Sequence, residues 1–398
     1  MAAILASSES QTPLHPSGLA ASYFPRLQLF LGEIGYRHGA PPHPNLVFLQ
    51  SFHEWFHSTL GPILGWNAEK LDNIECATAS FGERAYPFTG TEMCLLIAKM
   101  TATAMAIDDL VDDDNFYAEM LRFTHRIYVG EAQPHALLTI HQELIKEMAN
   151  AYTSTSDGDA ILTGIAAASW TGFIDGCLVE KRMMRGVKPE AVSSHYQCFP
   201  ERSDDLKHVH IEQNQVPFLM EGSAIEFPAY LRSKTGAGEA YAVAVFKAKR
   251  CQILPLEKVL KALPDIALFI CFTNDIMSFH KEQLAGERCN TIHLRTRAIQ
   301  SASSHNDGGS SGTWSLMDTF NLVCNEVRDA TLRVDALLRV EEIERSINQK
   351  GVRGTYSDMD IALAKQWREF RDGYISWHLE SRRYKLECLR PSDFYQQA

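Results

Sequence analysis

The stretch from Ile270 to Glu282, Ile-Cys-Phe-Thr-Asn-Asp-Ile-Met-Ser-Phe-His-Lys-Glu, constrains this chain more than any other. It opens as an apolar run that continues Ala267-Leu268-Phe269 and reads as a wall of the core. It then sets Asn274, Ser278 and Glu282 at i, i+4 and i+8. On an α-helix those three share one stripe. All three offer oxygen, and oxygen ligands suit a hard cation such as Mg²⁺. Lys281, beside Glu282, is placed to reach an anion held by that metal.

A second acidic cluster lies upstream, Ile107-Asp108-Asp109-Leu110-Val111-Asp112-Asp113-Asp114, after the apolar run Cys94-Leu95-Leu96-Ile97-Ala98. Asp108 and Asp112 are i, i+4 and face the same way. Two carboxylates so close repel each other unless a cation sits between them. An aspartate run at a helix end is often a solvated cap, and either stretch alone has that bland reading. Both following apolar walls in one chain favours two helices facing across a cavity, with divalent metal between their acidic ends.

The chain has 398 residues, 45% hydrophobic and 22% charged, enough for one large helical domain. Its net charge of -11 argues against a nucleic-acid partner, which wants a basic face. It does not argue against a diphosphate ligand, because metal ions can supply positive charge locally. The nine cysteines are scattered without a CxxC pair and read as reduced. No run of 18 or more apolar residues suggests a membrane span, and the cytoplasm is the expected location.

Along the chain, residues 1–40 read as a disordered or loosely packed lead-in, rich in Ser, Ala and Pro over its first half. One domain is expected over 41–390. Helices are expected over 46–60 with Asn45 as N-cap, then over 91–110, 135–153, 159–183, 224–249 with a break near Gly236 and Gly238, 262–282, 290–299, 314–345 and 357–389. Residues 184–222, with Pro189, Pro200 and Pro217, break the pattern as an atypical insertion. A surface loop, a lid and retained intron sequence are the open readings of it. A flexible loop is expected over 301–313. Few runs alternate with period 2, so the fold class is all-α, a bundle around one cavity.

The two acidic stretches resemble the metal motifs of class I terpene cyclases. Asp108-Asp109-Leu110-Val111-Asp112 resembles their aspartate-rich motif, and Asn274 to Glu282 matches their second motif at each defining position. Gly373-Tyr374-Ile375-Ser376-Trp377-His378-Leu379, followed by Arg382-Arg383-Tyr384, is similar to the ending of the fungal trichodiene synthase type. The likeness covers roughly residues 90 to 386.

This resemblance implies a single-domain terpenoid synthase helical bundle around an apolar cavity. It implies three Mg²⁺ held by Asp108, Asp112, Asn274, Ser278 and Glu282. Which carboxylate coordinates beyond Asp108 stays open, because Asp113 and Asp114 follow. It also implies that Arg232 senses the diphosphate, with Thr235 linking it to a helix break at Gly236 that turns a carbonyl towards the substrate. Lys281, Arg383 and Tyr384 would donate to the same diphosphate, and Tyr374 would line the pocket. An Asp109–Arg383 contact would close the site once metals and diphosphate bind. The activity implied is that of a sesquiterpene cyclase in fungal secondary metabolism, a lyase converting farnesyl diphosphate to a cyclic C15 hydrocarbon or alcohol, in a possible homodimer. The alternatives are a chain-elongating prenyltransferase, a generic Mg²⁺-binding helical module, and a non-catalytic homologue that retains an intron.

Overall fold

In a computed structural model, which describes residues 16–153, 157–184, 224–306, 314–348, 356–386 and 389, helix follows helix and no β-strand occurs among the described residues. The order is α1 (Pro16–Glu33), α2 (Leu46–Trp55) running into a π-helical turn (Phe56–Leu60), α3 (Gly61–Leu64), α4 (Ala68–Ala85), α5 (Thr91–Leu110), α6 (Asp114–Met120), α7 (Phe123–Val129), α8 (Ala136–Tyr152) and α9 (Asp157–Met184). The second half continues with α10 (Phe227–Thr235), α11 (Gly238–Phe246), α12 (Leu256–Ala285), α13 (Thr291–Asn306), α14 (Leu316–Leu338), α15 (Val340–Asn348), α16 (Asp358–Glu380) and a 3₁₀ turn (Arg382–Tyr384).

Local chemistry explains several boundaries. Asn45 caps α2 as its position suggested, its Oδ1 accepting from the Phe48 amide at 3.1 Å. Ser315 and Asp318 form a reciprocal capping box on α14. Gly286, at φ +74°, closes α12. The helix expected over 314–345 is instead two, because Arg339 takes a left-handed conformation at φ +54°. The helix expected over 357–389 stops at Glu380, where Ser381 turns extended and the chain enters the 3₁₀ turn. Helix also replaces the first part of the loop expected over 301–313, since α13 runs to Asn306. Residues 307–313, and 185–222 of the expected insertion, lie outside the described residues.

The loose lead-in expected over 1–40 is corrected for residues 16–34. Tyr23, Leu27, Phe30, Leu31 and Ile34 are buried at helical spacing. The Tyr23 hydroxyl donates to the Ile276 carbonyl at 2.9 Å, and its ring lies 5.2 Å from that of Phe320. Burying each large side chain contributes roughly 1.5–3 kcal/mol, enough to hold α1 against α12 and α14.

α12 is the central element, packed against α11, α14, α16 and the 3₁₀ turn. Its apolar part, Phe269 to Thr273, is buried. Gly236 and Gly238 let the α10–α11 break sit against it. A Cβ at Gly236 would collide with Cys271 Sγ, and one at Gly238 would lie 2.7 Å from the same sulfur. Gly236 itself is right-handed, and the left-handed residue at the break is Ala237, at φ +45°. The glycines here serve close approach, not unusual backbone angles.

Between Gly158 and Met183, α9 is long and apolar enough to cross a membrane by length and composition. Half of that window is buried in the bundle, against α8, α10 and α11. Core packing accounts for the apolarity of that half.

Candidate active site

A cavity of about 690 Å³ opens among α5, α9, α10, α12, α16 and the 3₁₀ turn. Each residue singled out in the sequence lines it: Asp108, Asp109 and Asp112 from the end of α5, Arg232, Thr235 and Gly236 from α10, Asn274, Ser278, Lys281 and Glu282 from α12, and Tyr374, Arg383 and Tyr384 from the C-terminal elements. The i, i+4, i+8 stripe does face one space. Because the last helix ends at Glu380, Tyr384 reaches the cavity from a turn and not along a straight helix from Tyr374.

Arg232 is fixed from three sides. Its Nε donates to Asp275 at 3.0 Å, and its Nη2 donates to the Cys271 carbonyl at 2.9 Å and to Asn274 Oδ1 at 3.0 Å. Burial works against its charge, but the adjacent Asp275 outweighs that and holds the guanidinium above its usual pKa. Asp275, a motif residue without an expected role, is the anchor of this arginine.

Asn274 is oriented by two further partners. His378 Nδ1 lies 2.8 Å from the Tyr374 carbonyl, which can only accept, so that nitrogen carries the ring proton. His378 Nε2 is then bare and accepts from Asn274 Nδ2 at 3.2 Å. Burial lowers the His378 pKa to about 3, so the ring stays neutral and the arrangement holds at ordinary pH. Asn274 Nδ2 also donates to the Tyr384 oxygen at 3.1 Å, leaving the Tyr384 hydrogen for a ligand. The Asn274 amide therefore turns its nitrogen towards His378 and its oxygen towards Arg232.

The acidic groups crowd one another. Asp108 opens onto the cavity but is otherwise enclosed by protein. That enclosure raises its pKa, Arg383 lowers it and Asp109 raises it again. Burial pushes Glu282 up to about 7. Glu180 of α9, which the sequence did not bring forward, also lines the cavity; burial and then Asp108 push it up to about 8. The Ser278 hydroxyl is 1% exposed, close to Glu282 but outside hydrogen-bonding geometry, and has no partner. A buried hydroxyl without a partner is accounted for by an ion or water that it would bind. The proposed ligands offer oxygen alone, which suits a hard divalent cation and not zinc. The residues present fit Mg²⁺.

Two lysines hold the aspartate-rich end. Lys70 Nζ lies 3.0 Å from Asp109, and Lys181 pairs with Asp112. Among the ion pairs of the described residues Asp109 is paired with Lys70, the partner it would have to leave for the Asp109–Arg383 contact expected with metals and diphosphate bound.

Away from these charges aromatic side chains share the wall with aliphatic ones such as Ala104, Leu231 and Ile270. Thr101 lies two turns before Asp108 on α5, about 10 Å down its axis. There Tyr241 packs against Trp170 and Phe81 at ring distances of 5.1 and 5.5 Å, and Phe173, Tyr374 and Trp377 join the lining. Thr101 Oγ1 donates to the Ile97 carbonyl at 2.8 Å, so its contact with Tyr241 at 3.0 Å has the tyrosine as donor. The Tyr241 oxygen is left with its lone pairs as a polar point within that wall.

No family model matches the chain. Among curated proteins it is 27% identical over 301 residues to terpene synthase BipA of Cochliobolus sativus, covering 76% of this chain and 71% of that one. It is 24% identical over 315 residues to an (E)-beta farnesene synthase of Metarhizium brunneum, covering 79% and 74%. Among solved structures it superposes on a linalool/nerolidol synthase from Streptomyces clavuligerus, in complex with 2-fluorogeranyl diphosphate, with a TM-score of 0.54 at 13% identity, over 85% of this chain and 100% of that one. Germacradien-4-ol synthase from Streptomyces citricolor gives 0.51 at 14% identity, over 85% and 96%. The chain has the all-α fold of these class I terpene synthases, and its likeness to terpene synthases holds in sequence as well.

Proposed function

We propose that this chain is a class I terpene cyclase of the trichodiene synthase type, using Mg²⁺ to ionise farnesyl diphosphate and releasing diphosphate and a cyclic C15 hydrocarbon or alcohol. One observation carries the reading. Oxygen ligands from two helices and the donors Arg232, Lys281, Arg383 and Tyr384 border the same cavity, and aromatic and aliphatic side chains such as Phe81, Trp170, Ala104 and Ile270 line another part of its wall. A volume of about 690 Å³ lies in the range of pockets that enclose a ligand of this size. The proposal extends to a cytoplasmic homodimer, for which sedimentation of the purified chain is the check.

The chemistry follows from where charge develops. The allylic C–O bond breaks heterolytically, and both electrons leave with the diphosphate oxygen. Arg232 is already locked by Asp275, Cys271 and Asn274, and its Nη1 is uncommitted in those bonds. It can donate to the leaving group without reorganising, as can the Tyr384 hydroxyl. A preorganised donor of this kind lowers a barrier by about 2.7–4 kcal/mol. Mg²⁺, when bound by Asp108, Asp112, Asn274, Ser278 and Glu282, supplies Lewis-acid stabilisation of the same negative charge. The aromatic faces of Phe81, Trp170, Tyr374 and Trp377 stabilise the carbocation without offering it a nucleophile. They also keep water away from it.

The test is diphosphate release from farnesyl diphosphate by the purified protein. Release that needs Mg²⁺ and falls by about 100-fold or more in Asn274→Ala supports the proposal. Substrate binding without release favours a non-catalytic homologue. Release that needs a second prenyl diphosphate favours an elongating prenyltransferase.

A further inference from the structure

On the outer side of the bundle, where α2 meets α4, three side chains converge independently of the cavity. His53 Nδ1 lies 2.7 Å from Glu75 Oε1, and His57 Nε2 lies 2.8 Å from Glu75 Oε2. The two imidazole centroids are 4.3 Å apart. The three ligand atoms lie within 4.8 Å of one another. The π-helical turn begins at Phe56, between the two histidines, and such turns recur at functional sites.

We propose that His53, His57 and Glu75 form a site for a borderline divalent transition metal of the Zn²⁺ class, pinning α2 to α4. The donor chemistry separates this site from the cavity: two imidazoles and one carboxylate select zinc-like ions, whereas the all-oxygen set selects Mg²⁺. The charge balance favours a cation here. The Glu75 side chain is only 14% exposed, beneath rings that are 62% and 47% exposed. The ion pairs of the described residues give it the two histidines and no lysine or arginine. With neutral rings that carboxylate is uncompensated. Each ring now donates through the nitrogen facing Glu75, since a carboxylate only accepts. Moving each proton to the other ring nitrogen turns both facing nitrogens into ligands, with no net proton released from neutral imidazole. Tetrahedral ligands at about 2.0–2.1 Å from a zinc ion stand roughly 3.3 Å apart, a spacing that the three atoms, now within 4.8 Å of one another, reach by side-chain adjustment.

The experiment uses full-length, chelator-stripped protein in millimolar Mg²⁺ at pH 7.5, titrated with Zn²⁺ by calorimetry and by thermal melting. The proposal expects one equivalent bound with a rise in Tm, and binding at least tenfold weaker in His53→Ala and in His57→Ala. Cys76→Ser, which removes the exposed thiol next to Glu75, should leave binding unchanged. Identical Zn²⁺ titrations for the wild type and the His53→Ala/His57→Ala double variant overturn it, as does loss of binding in Cys76→Ser alone. The readout does not depend on whether the cavity turns over a terpene precursor.

Discussion

Asn274 donates its Nδ2 to the Tyr384 hydroxyl oxygen across 3.1 Å, tying the second acidic stripe to the turn that ends the described C-terminal elements. The bond leaves the Tyr384 proton directed to a ligand. Tyr384→Phe removes that proton and the acceptor together. A hydrogen bond to a charged group is worth about 1.5–3 kcal/mol, so kcat/KM for diphosphate release should fall roughly 10- to 150-fold. The melting temperature should move by only a few degrees. Unchanged kinetics would remove Tyr384 from the diphosphate site.

The crowded carboxylates set a pH dependence. Glu282 and Glu180 are held up to about 7 and about 8, well above the ordinary glutamate range. A carboxyl whose folded pKa is raised stabilises the fold below its unfolded pKa and loses that contribution as pH rises through the folded value. Metal-free protein should therefore lose stability between about pH 5 and 8, while its affinity for Mg²⁺ rises over the upper part of that window. Thermal melts with and without Mg²⁺ should show a larger upward shift at pH 8 than at pH 6, and Glu180→Gln should flatten the difference. Equal shifts at both pH values would contradict this account.

Tyr241 and Thr101 predict an effect on product and not on ionisation. The Tyr241 oxygen is a polar point of the cavity wall, bonded to Thr101, which lies about two helical turns from Asp108. Tyr241→Phe should change the ratio of products by several-fold while diphosphate release stays within about threefold. Thr101→Ser keeps the acceptor for Tyr241 and should preserve the wild-type ratio, whereas Thr101→Val should not. Product analysis by gas chromatography distinguishes these outcomes.

Gly236 predicts a packing defect. A Cβ there would run into Cys271 Sγ on α12. Overpacking of this kind costs about 1–3 kcal/mol. Gly236→Ala should lower the denaturant midpoint accordingly, and Gly236→Ala/Cys271→Ala should recover part of the loss, because it removes the sulfur that is struck. An additive double variant would place the defect elsewhere.

How far the sequence could be read depended on whether its signal was local. The Asn274, Ser278 and Glu282 stripe is a statement about one helix, and α12 realises it. The bounds of α5 were also legible, since the helix expected over 91–110 runs from Thr91 to Leu110. Glu180, Lys181 and Lys70 were not, because their importance lies in which helix faces them, and no spacing along the chain reports that. His378 was visible within the C-terminal motif, yet its role depends on a proton fixed by the Tyr374 carbonyl and on a contact with α12. The N-terminal helix was missed for a different reason. Its Pro and Ser content suggested disorder, although Tyr23, Leu27 and Phe30 with Leu31 and Ile34 carried a helical period that outweighs Pro25 inside the helix. The sequence also gave Gly236 a backbone role where the structure gives it a packing one.

The central claim is that the cavity turns an ionised prenyl chain into a ring. Its most direct test is gas chromatography–mass spectrometry of the volatiles formed from farnesyl diphosphate and Mg²⁺ by the purified protein, with Asn274→Ala as control. The account predicts a cyclic C15 product that disappears in the control. Only acyclic alcohols at the level of spontaneous hydrolysis, the same for wild type and Asn274→Ala, would contradict it.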